Sequence, residues 1–521
     1  MKKNINNLNL RIAFLLLTAF LILPIKSAEA AVKKSKIVQT KKSVVLNKKT
    51  EIKLKNIPDS KFKTDLINLE KDKLTAALST LNSLGKQAIS NDISSLNVDK
   101  SGKIFYTCKF DYPDTPPHYQ AKDEFPKVPG EPQKADVPIS SPPVRHSKPG
   151  AANVLYLDFN GGIVNGTAWN SYHGISSWDC KPYDLDGDET TFDDNEQDKI
   201  ILFWEFVAED YAPFDVDVTT EEPAVYPART VGWAMITETT DKNGANCPHY
   251  GYGGIAYVNV FGGVSYPYYS PAWVKEYSST YTAEAAAHEL GHNMGLYHDG
   301  TSGSAYYHGH YNGLIYWGAI MGGGITPDMS QWSKGEYYDA NQTEDDLAII
   351  AGKLGYRTDD HGNNNTTASS LNLVGTNIYD SGYIETTGDP DVFEFMTGAG
   401  PVTLNARPYK AASGDWGSNL DILLELQNDS GVIIASNNPP TDVTASISTT
   451  LSMGTYFLYV KPTGAGNPMN STPTGFTIYG SLGSYELTGT INPIPEPCLF
   501  IIYYLSIIIF IKRKFILKNE T

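Results

Sequence analysis

The sequence predicts an α+β domain over residues 150–358 followed by an all-β sandwich over residues 371–491. Three observations carry that expectation. Between Asn153 and Gly355 the apolar patterns read as a strand, a helix, three strands and two further helices. After the polar run DDHGNNNTTASS (linker, 359–370), the texture becomes short alternating strands parted by turns: DVFEFMT, PVTLNAR, LDILLELQNDSG, SYELTGTI. At 521 residues the chain is also too long for one ordinary domain.

Taken in order, residues 1–30 read as an export signal: Lys2, Lys3 and Arg11, an apolar run from Ile12 to Ile25, then Ala28 and Ala30 at a small-residue cleavage site. Residues 31–110 form a propeptide or an N-terminal domain, Lys-rich from Lys33 to Lys73, with one helix expected around Asp65 to Leu84 and a strand in SGKIFYTCKF. Residues 111–149 carry PDTPPH, FPKVPGEP and ISSPPV without a sustained apolar pattern, which makes them a linker and a natural processing site.

NVLYLDFNGG then reads as a core strand. In the acidic run YDLDGDETTFDDNEQDK, Asp184, Asp186 and Asp188 alternate as in a calcium loop. Glu189 and Asn195 break that match where a Gly and a bidentate Glu are needed, so a solvated loop is favoured and structural Ca2+ is the alternative. Asp193 and Glu196 form a capping pair that opens a helix from Asp194 to Glu209, with Ile200, Ile201, Phe203, Trp204 and Val207 on one face. DYAPFDVDVTTEE, TVGWAMITETT and GGIAYVNVFGG read as three strands. Thr343 is expected to cap a helix that buries Leu347, Ile350 and Leu354 and stops at Gly355. His308 and His310 read as exposed loop histidines.

The net charge of −17 gives nucleic acid no purchase. An exported chain meets an oxidising compartment, where Cys180 and Cys247 are placed to pair, leaving Cys108 over; the fourth cysteine, Cys498, lies in the apolar tail.

The chemistry is concentrated in TAEAAAHELGHNMGLYHDG, Thr282 to Gly300. His288 and His292 are four apart and stand on one helix face, at the separation two imidazoles need to share a metal ion. Leu290, Met294, Ala283 and Ala287 supply a neighbouring apolar stripe, and Gly295 stops the helix so that His298 can return to the same ion. Three nitrogen ligands leave a fourth place for water, which marks a catalytic zinc rather than a structural one. Glu289 lies beside the first ligand, free to act as general base and acid on that water. From the chain's own residue frequencies, these five fixed positions recur by chance on the order of once in 10⁵ such chains, with Gly near its ordinary share of about 7%.

HELGHNMGLYHD resembles the extended zinc motif HExxHxxGxxH of the metzincin metallopeptidases, and Asp299 after the third His is similar to the adamalysin (reprolysin) branch. The resemblance implies a twisted, mostly parallel sheet, with His288, His292 and His298 as zinc ligands and Glu289 as the catalytic residue. It also implies a Met-turn, for which Met321 in WGAIMGGG fits better than Met329. Some metzincins place a Tyr two residues after that Met; here the position is Gly323, and no such role is carried over. The Ile255–Val260 strand is the expected cleft edge, which binds an extended substrate by backbone pairing. Secreted metzincins often carry a propeptide that blocks the zinc through a cysteine; Cys108 could do that, although its flanks do not match the usual switch sequences and a small N-terminal domain with a buried or paired Cys is the favoured reading.

GDPDVFEF, NLDILLELQNDSGVIIASN and GTYFLYV resemble the bacterial pre-peptidase C-terminal domain, a jelly-roll-like module; Asp389, Asp391 and Asp421 read as turn carboxylates with calcium as the alternative. Residues 493–515, with Pro495-Glu496-Pro497, an apolar run from Cys498 to Ile511 and Lys512-Arg513-Lys514, resemble the PEP-CTERM sorting signal. That implies a transient membrane anchor, removed by an exosortase-type enzyme that passes the protein to the cell surface or matrix; the apolar run is short for a bilayer that needs about 20 residues. The functional expectation is a secreted or surface zinc endopeptidase that cleaves extracellular proteins by Glu-assisted attack of a zinc-bound water. The alternative is a surface- or matrix-binding protein with a vestigial peptidase domain.

Overall fold

The computed structural model describes residues 51–82, 84, 86–110, 138–311, 313, 315–323, 328–409 and 417–494. The export signal, the Lys-rich stretch as far as Thr50, the linker as far as Val137 and the tail from Pro495 onward lie outside the described residues.

The first region is built on a seven-stranded sheet. Its strands in chain order are β1 (Leu96–Val98), β2 (Ile104–Cys108), β3 (Asn153–Asp158), β6 (Val216–Thr219), β7 (Val231–Thr237), β8 (Gly254–Tyr257) and β9 (Ala272–Lys275), while β4 (Gly162–Asn165) and β5 (Ser177–Cys180) form a separate hairpin. The spatial order is β1-β2-β8-β9-β7-β3-β6. From β9 to β6 every pairing is parallel, whereas β9–β8, β8–β2 and β2–β1 are antiparallel. β6, β7 and β8 are buried at every residue, which explains why VGWAMIT and GIAY lack the alternation of a half-exposed strand; VDVT alternates, and its Asp217 is buried against His146.

Helix Asp194–Asp210 opens on the expected Asp193–Glu196 capping box and buries Ile200, Phe203, Phe206 and Val207. Helix Tyr281–Met294 packs on β7, β8 and β9, and all its residues are buried. Its Ala-rich first half favours the helix, and Gly295 at φ 122 ends it by turning its N–H back to the carbonyls of Gly291 and His292.

Four expectations need correction. The single helix from Asp65 to Leu84 is two, Lys61–Ile67 and Lys71–Leu81, because Glu70 is extended, with ψ at 151°. The strand expected to run to Val260 stops at Tyr257, since Asn259 takes a positive φ of 55° and the next backbone N–H groups turn to the histidine helix. The helix cap near residue 343 is Asp345, whose side chain accepts from the N–H of Ala348, and the helix runs Asp346–Leu354. The N-terminal segment is no separate body: β2 extends the sheet by pairing with β8, and the Asp99 carboxylate holds the β1–β2 turn through the N–H groups of Ser101 and Lys103. β9, in the stretch SPAWVK, was not anticipated.

The C-terminal region follows two short strands, β10 (Trp317–Ala319) and β11 (Met329–Gln331). It consists of two five-stranded sheets. One, in order β12-β15-β20-β17-β18, uses Ser369–Ser370, Asp391–Thr397, Gly454–Pro462, Ile422–Asn428 and Ile433–Asn437. The other, in order β13-β14-β23-β16-β19, uses Leu373–Val374, Asn377–Ile384, Gly483–Thr490, Gly400–Pro408 and Ala445–Leu451. Inward residues such as Val402, Leu404 and Ala406 alternate with outward ones.

These sheets dock on the first region through polar groups. Asn419 donates to Asp210, Gln331 to the carbonyl of Asn419, and the N–H and hydroxyl of Ser484 to Glu209. His310 is buried, with Nε2 against the carbonyl of Gly475 at 2.7 Å; it is a tie between the two regions and not an exposed loop residue. His308 is exposed.

Candidate metal centre

Three imidazoles converge beneath β8. His288 and His292 project from one face of helix Tyr281–Met294, and His298 returns from the bend after Gly295. Each has its Nδ1 against an acceptor: the carbonyl of Ile320 for His288 at 2.9 Å, that of Leu296 for His292 at 2.8 Å, and the Asp92 carboxylate for His298 at 3.1 Å. A carbonyl only accepts, so Nδ1 of His288 and of His292 carries the proton, and once the rings are neutral their Nε2 atoms are left with lone pairs. Burial, reinforced by the neighbouring imidazoles, holds His288 and His292 well below the usual imidazole range, hence neutral.

The Nε2 atoms face one another. His292 Nε2 and His298 Nε2 are 3.2 Å apart, and His288 Nε2 is buried with no partner. Cys108 Sγ closes the group, 3.4 Å from Nε2 of both His292 and His298, and all four ligand atoms lie within 4.8 Å of one another. The lone pairs on Nε2 of His288 and His292 are turned into one pocket, where a cation would take them up. Zinc bonds of about 2.0–2.1 Å to nitrogen and about 2.3 Å to sulfur make tetrahedral edges of roughly 3.3 Å between nitrogens and 3.6 Å from nitrogen to sulfur. The donor set and its spacing fit that ion.

Glu289 is wholly buried, and neither carboxylate oxygen has a hydrogen-bond partner. It lies against β8, where a Cβ on Gly254 would stand 2.2 Å from its Oε1 and 2.7 Å from its Cγ. The glycine is what admits the carboxylate. Burial pushes this carboxyl well up from its usual range. Met321 lies under the histidine helix: a Cβ on Gly291 would meet its sulfur at 2.7 Å, and its carbonyl accepts from the N–H of Asp299 at 2.8 Å.

In this region, the sequence model described as Metallo-peptidase family M12B Reprolysin-like matches residues 229–299. The match runs from the start of β7 through Asp299, so it contains the three histidines and Glu289, and it supports a zinc peptidase in general. No curated protein matches the chain. Among solved structures, the pre-peptidase C-terminal domain of collagenase from Bacillus anthracis aligns at 16% identity, over 24% of this chain and 100% of its own, with a TM-score of 0.16. The periplasmic lysozyme inhibitor PliG of Aeromonas hydrophila aligns at 12% identity, over 24% and 96%, with a TM-score of 0.17. Scores that low carry no weight for the fold.

The sequence reading did not name three residues at the centre. Asp92, buried at the end of helix Lys86–Asp92, holds His298 and accepts from the Tyr106 hydroxyl at 3.0 Å. Tyr106 stacks on His292 with ring centroids 4.5 Å apart. Tyr306 lies 4.4 Å from the His298 ring. The first two belong to the N-terminal segment, and only its pairing with β8 brings them here. Cys180 and Cys247 do meet thiol to thiol, yet both are free, so the expected disulfide is not formed in this structure.

Two acidic groups lie elsewhere. Asp184, Asp186 and Glu196 sit together at the acidic loop, where Asp184 and Glu196 are already accepting backbone N–H groups. In the C-terminal region, Asp359, Asp360, Glu385, Asp389 and Asp391 gather, and buried oxygens of Glu385, Asp389 and Asp391 have no hydrogen-bond partner. Asp421 lies outside this group, although its own buried Oδ1 also lacks a hydrogen-bond partner.

Proposed function

We propose that the protein is a zinc-dependent endopeptidase in a latent form, with residues 31–110 as its propeptide. The observation that carries this is the convergence of three imidazole nitrogens beside an unpartnered buried carboxylate. When bound, a zinc ion would be held by His288, His292 and His298 and would supply Lewis acidity, polarising the scissile carbonyl and acidifying a water. The protein's own part is proton traffic and positioning. Glu289 takes a proton from the attacking water at a carboxylate oxygen and delivers it to the leaving amine. Backbone carbonyls against Nδ1 of His288 and His292, and the Asp92 carboxylate against Nδ1 of His298, keep the rings oriented, and burial keeps the first two neutral.

Latency has two supports. Cys108 fills the place that water needs, and β2 pairs with the edge of β8 in register Phe105↔Tyr257 to Cys108↔Gly254, where an extended substrate would lie. Phe110, just beyond, sets its ring edge-on to His288 at 5.0 Å. Activation then means cutting after Phe110 and losing the segment. Export through residues 1–30, transient anchoring and exosortase-type sorting through 493–515, and structural calcium at the carboxylates of the C-terminal region complete the proposal.

The full chain, zinc-loaded and cut by limited proteolysis after Phe110, should cleave casein. A chelator or Glu289→Ala should abolish that, and undiminished cleavage by the Ala variant would remove Glu289 from the mechanism.

A further inference from the structure

We infer that Tyr306 is a catalytic residue of the mature enzyme, donating its hydroxyl hydrogen to the oxyanion that forms when water adds to the scissile carbonyl. The inference rests on the peptidase reading above.

Tyr306 stands at the metal centre without a structural task for its hydroxyl. Its ring centroid is 4.4 Å from that of His298 and 6.4 Å from that of His288. The hydroxyl is shielded from solvent and has no partner at normal hydrogen-bond distance, and the groups near enough to act on it as donors or acceptors, Ser95 and Cys108, belong to the N-terminal segment. The charged and polar groups around it are Cys108, Asp92, Glu289 and Ser95. Three of these four belong to the N-terminal segment. When the segment leaves, the hydroxyl faces Glu289 and whatever occupies the place of the Cys108 sulfur, which is where a substrate carbonyl must come.

Its loop is held from both sides: the segment's Asn91 amide donates to the carbonyls of Thr301 and Ser304, and the rest of the anchoring lies outside the segment. The N–H of Tyr307 donates to the carbonyl of Asp299 at 2.7 Å, and the N–H of Gly323 donates to the carbonyl of Tyr307 at 2.9 Å. The loop is thus pinned between the residue after the third histidine and the turn after Met321. Gly323 makes the fit: a Cβ there would stand 3.0 Å from Cβ of Tyr306 and 2.5 Å from Nδ1 of His308. A preorganised donor aimed at developing charge, in a site closed to water, is what stabilises an acyl-transfer transition state. The hydroxyl keeps its O–H bond throughout, and the proton balance of the cleavage remains with Glu289.

The test uses the full chain, zinc-loaded and cut after Phe110, as wild type and as Tyr306→Phe. Two probes are a phosphinic peptide, whose tetrahedral phosphorus mimics the adduct, and the corresponding product peptide. Expected for Tyr306→Phe are a fall in kcat of about 100-fold with KM held within about twofold, zinc content and melting temperature unchanged, phosphinate binding by calorimetry weakened by the same factor as kcat/KM, and product binding unaltered. A kcat/KM within about threefold of wild type overturns the assignment, as does zinc loss from the variant or equal weakening of both probes. Full turnover by Tyr306→Phe beside an inactive Glu289→Gln control removes Tyr306 alone; turnover by both removes the peptidase reading and this assignment with it.

Discussion

The sulfur of Cys108 lies 3.4 Å from Nε2 of His298, the imidazole whose other nitrogen is held by Asp92 from the same N-terminal segment. One stretch of chain thus supplies both a candidate fourth ligand and the outer contact of the third. Burial and the Glu289 carboxylate push the Cys108 thiol up from its usual range, so without a cation it would stay protonated. A bound zinc ion inverts that, since a coordinating thiol gives up its proton outright.

Replacing Cys108 therefore separates ligation from steric blocking. In the cobalt-substituted full chain, a sulfur-to-metal charge-transfer band in the near ultraviolet is expected, and Cys108→Ala should lose it. Because β2 still pairs with β8 in that variant, its activity should stay below that of the chain cut after Phe110. Equal activities would show that the strand does not obstruct substrate.

Gly254→Val tests the wall behind the catalytic carboxylate. A Cβ at this position meets Cγ, Cδ and Oε1 of Glu289 together, so rotating the carboxylate tip does not relieve it. The expected outcome is a loss in kcat of at least about 100-fold, on the scale of removing a positioned general base, with zinc content by atomic absorption unchanged. Retained turnover would mean that Glu289 reaches the site from another rotamer.

How much of this was legible in the sequence follows from what each signal depends on. The histidine helix, its Gly295 stop and the Asp193–Glu196 capping box were readable because each is local, set by spacings of three and four residues. The partner of the β8 edge was not. β2 lies about 150 residues earlier in the chain, and nothing in IFYTC states which strand it will pair with. The same blindness hid Asp92 and Tyr106, which look like an ordinary helix end and a strand aromatic until the pairing sets them against the histidines. Tyr306 was hidden differently. Gly323, two residues past Met321, was read as lacking a tyrosine, whereas the small residue makes room for one arriving from another loop. His310 reads as an exposed loop residue in the sequence because its partner, the carbonyl of Gly475, lies in the other region.

Glu209 gives the contact between the two regions a pH dependence. Burial raises its carboxyl from 4.5 to about 8, against the opposing donors of Ser484 and the nearby charge of Arg357. The folded state therefore holds this proton more tightly than the unfolded chain does. The contribution is full below about pH 4.5 and is lost as pH rises to about 8, at up to about 1.4 kcal/mol per pH unit. Melting temperature should fall from pH 5 to pH 8, and Glu209→Gln should flatten that slope. An unchanged slope would place the ionisation elsewhere.

The carboxylates of the C-terminal region invite a cation for the same electrostatic reason. Glu385 is buried with neither oxygen partnered, and burial together with its neighbour Asp389 pushes its carboxyl up to about 10. Asp391, between the Tyr485 hydroxyl on one oxygen and an unpartnered second oxygen, is pushed up to about 8 by burial. Such a group either holds extra protons or holds a metal, and oxygen-only ligands that include carboxylates from loops and from the start of one strand suit Ca2+. Ligand bound to the folded state alone stabilises it in proportion to the logarithm of its excess over Kd, so calcium at about 100 Kd should add about 2.7 kcal/mol. Calorimetric scans of the full chain at pH 7.5, with millimolar calcium against EGTA, should show the transition of this region moving up with calcium. Asp391→Asn should remove most of that shift while retaining the hydrogen bond from Tyr485. If the wild-type transition does not move, these carboxylates are held by shared protons, and lowering the pH to 5 should stabilise the same transition instead.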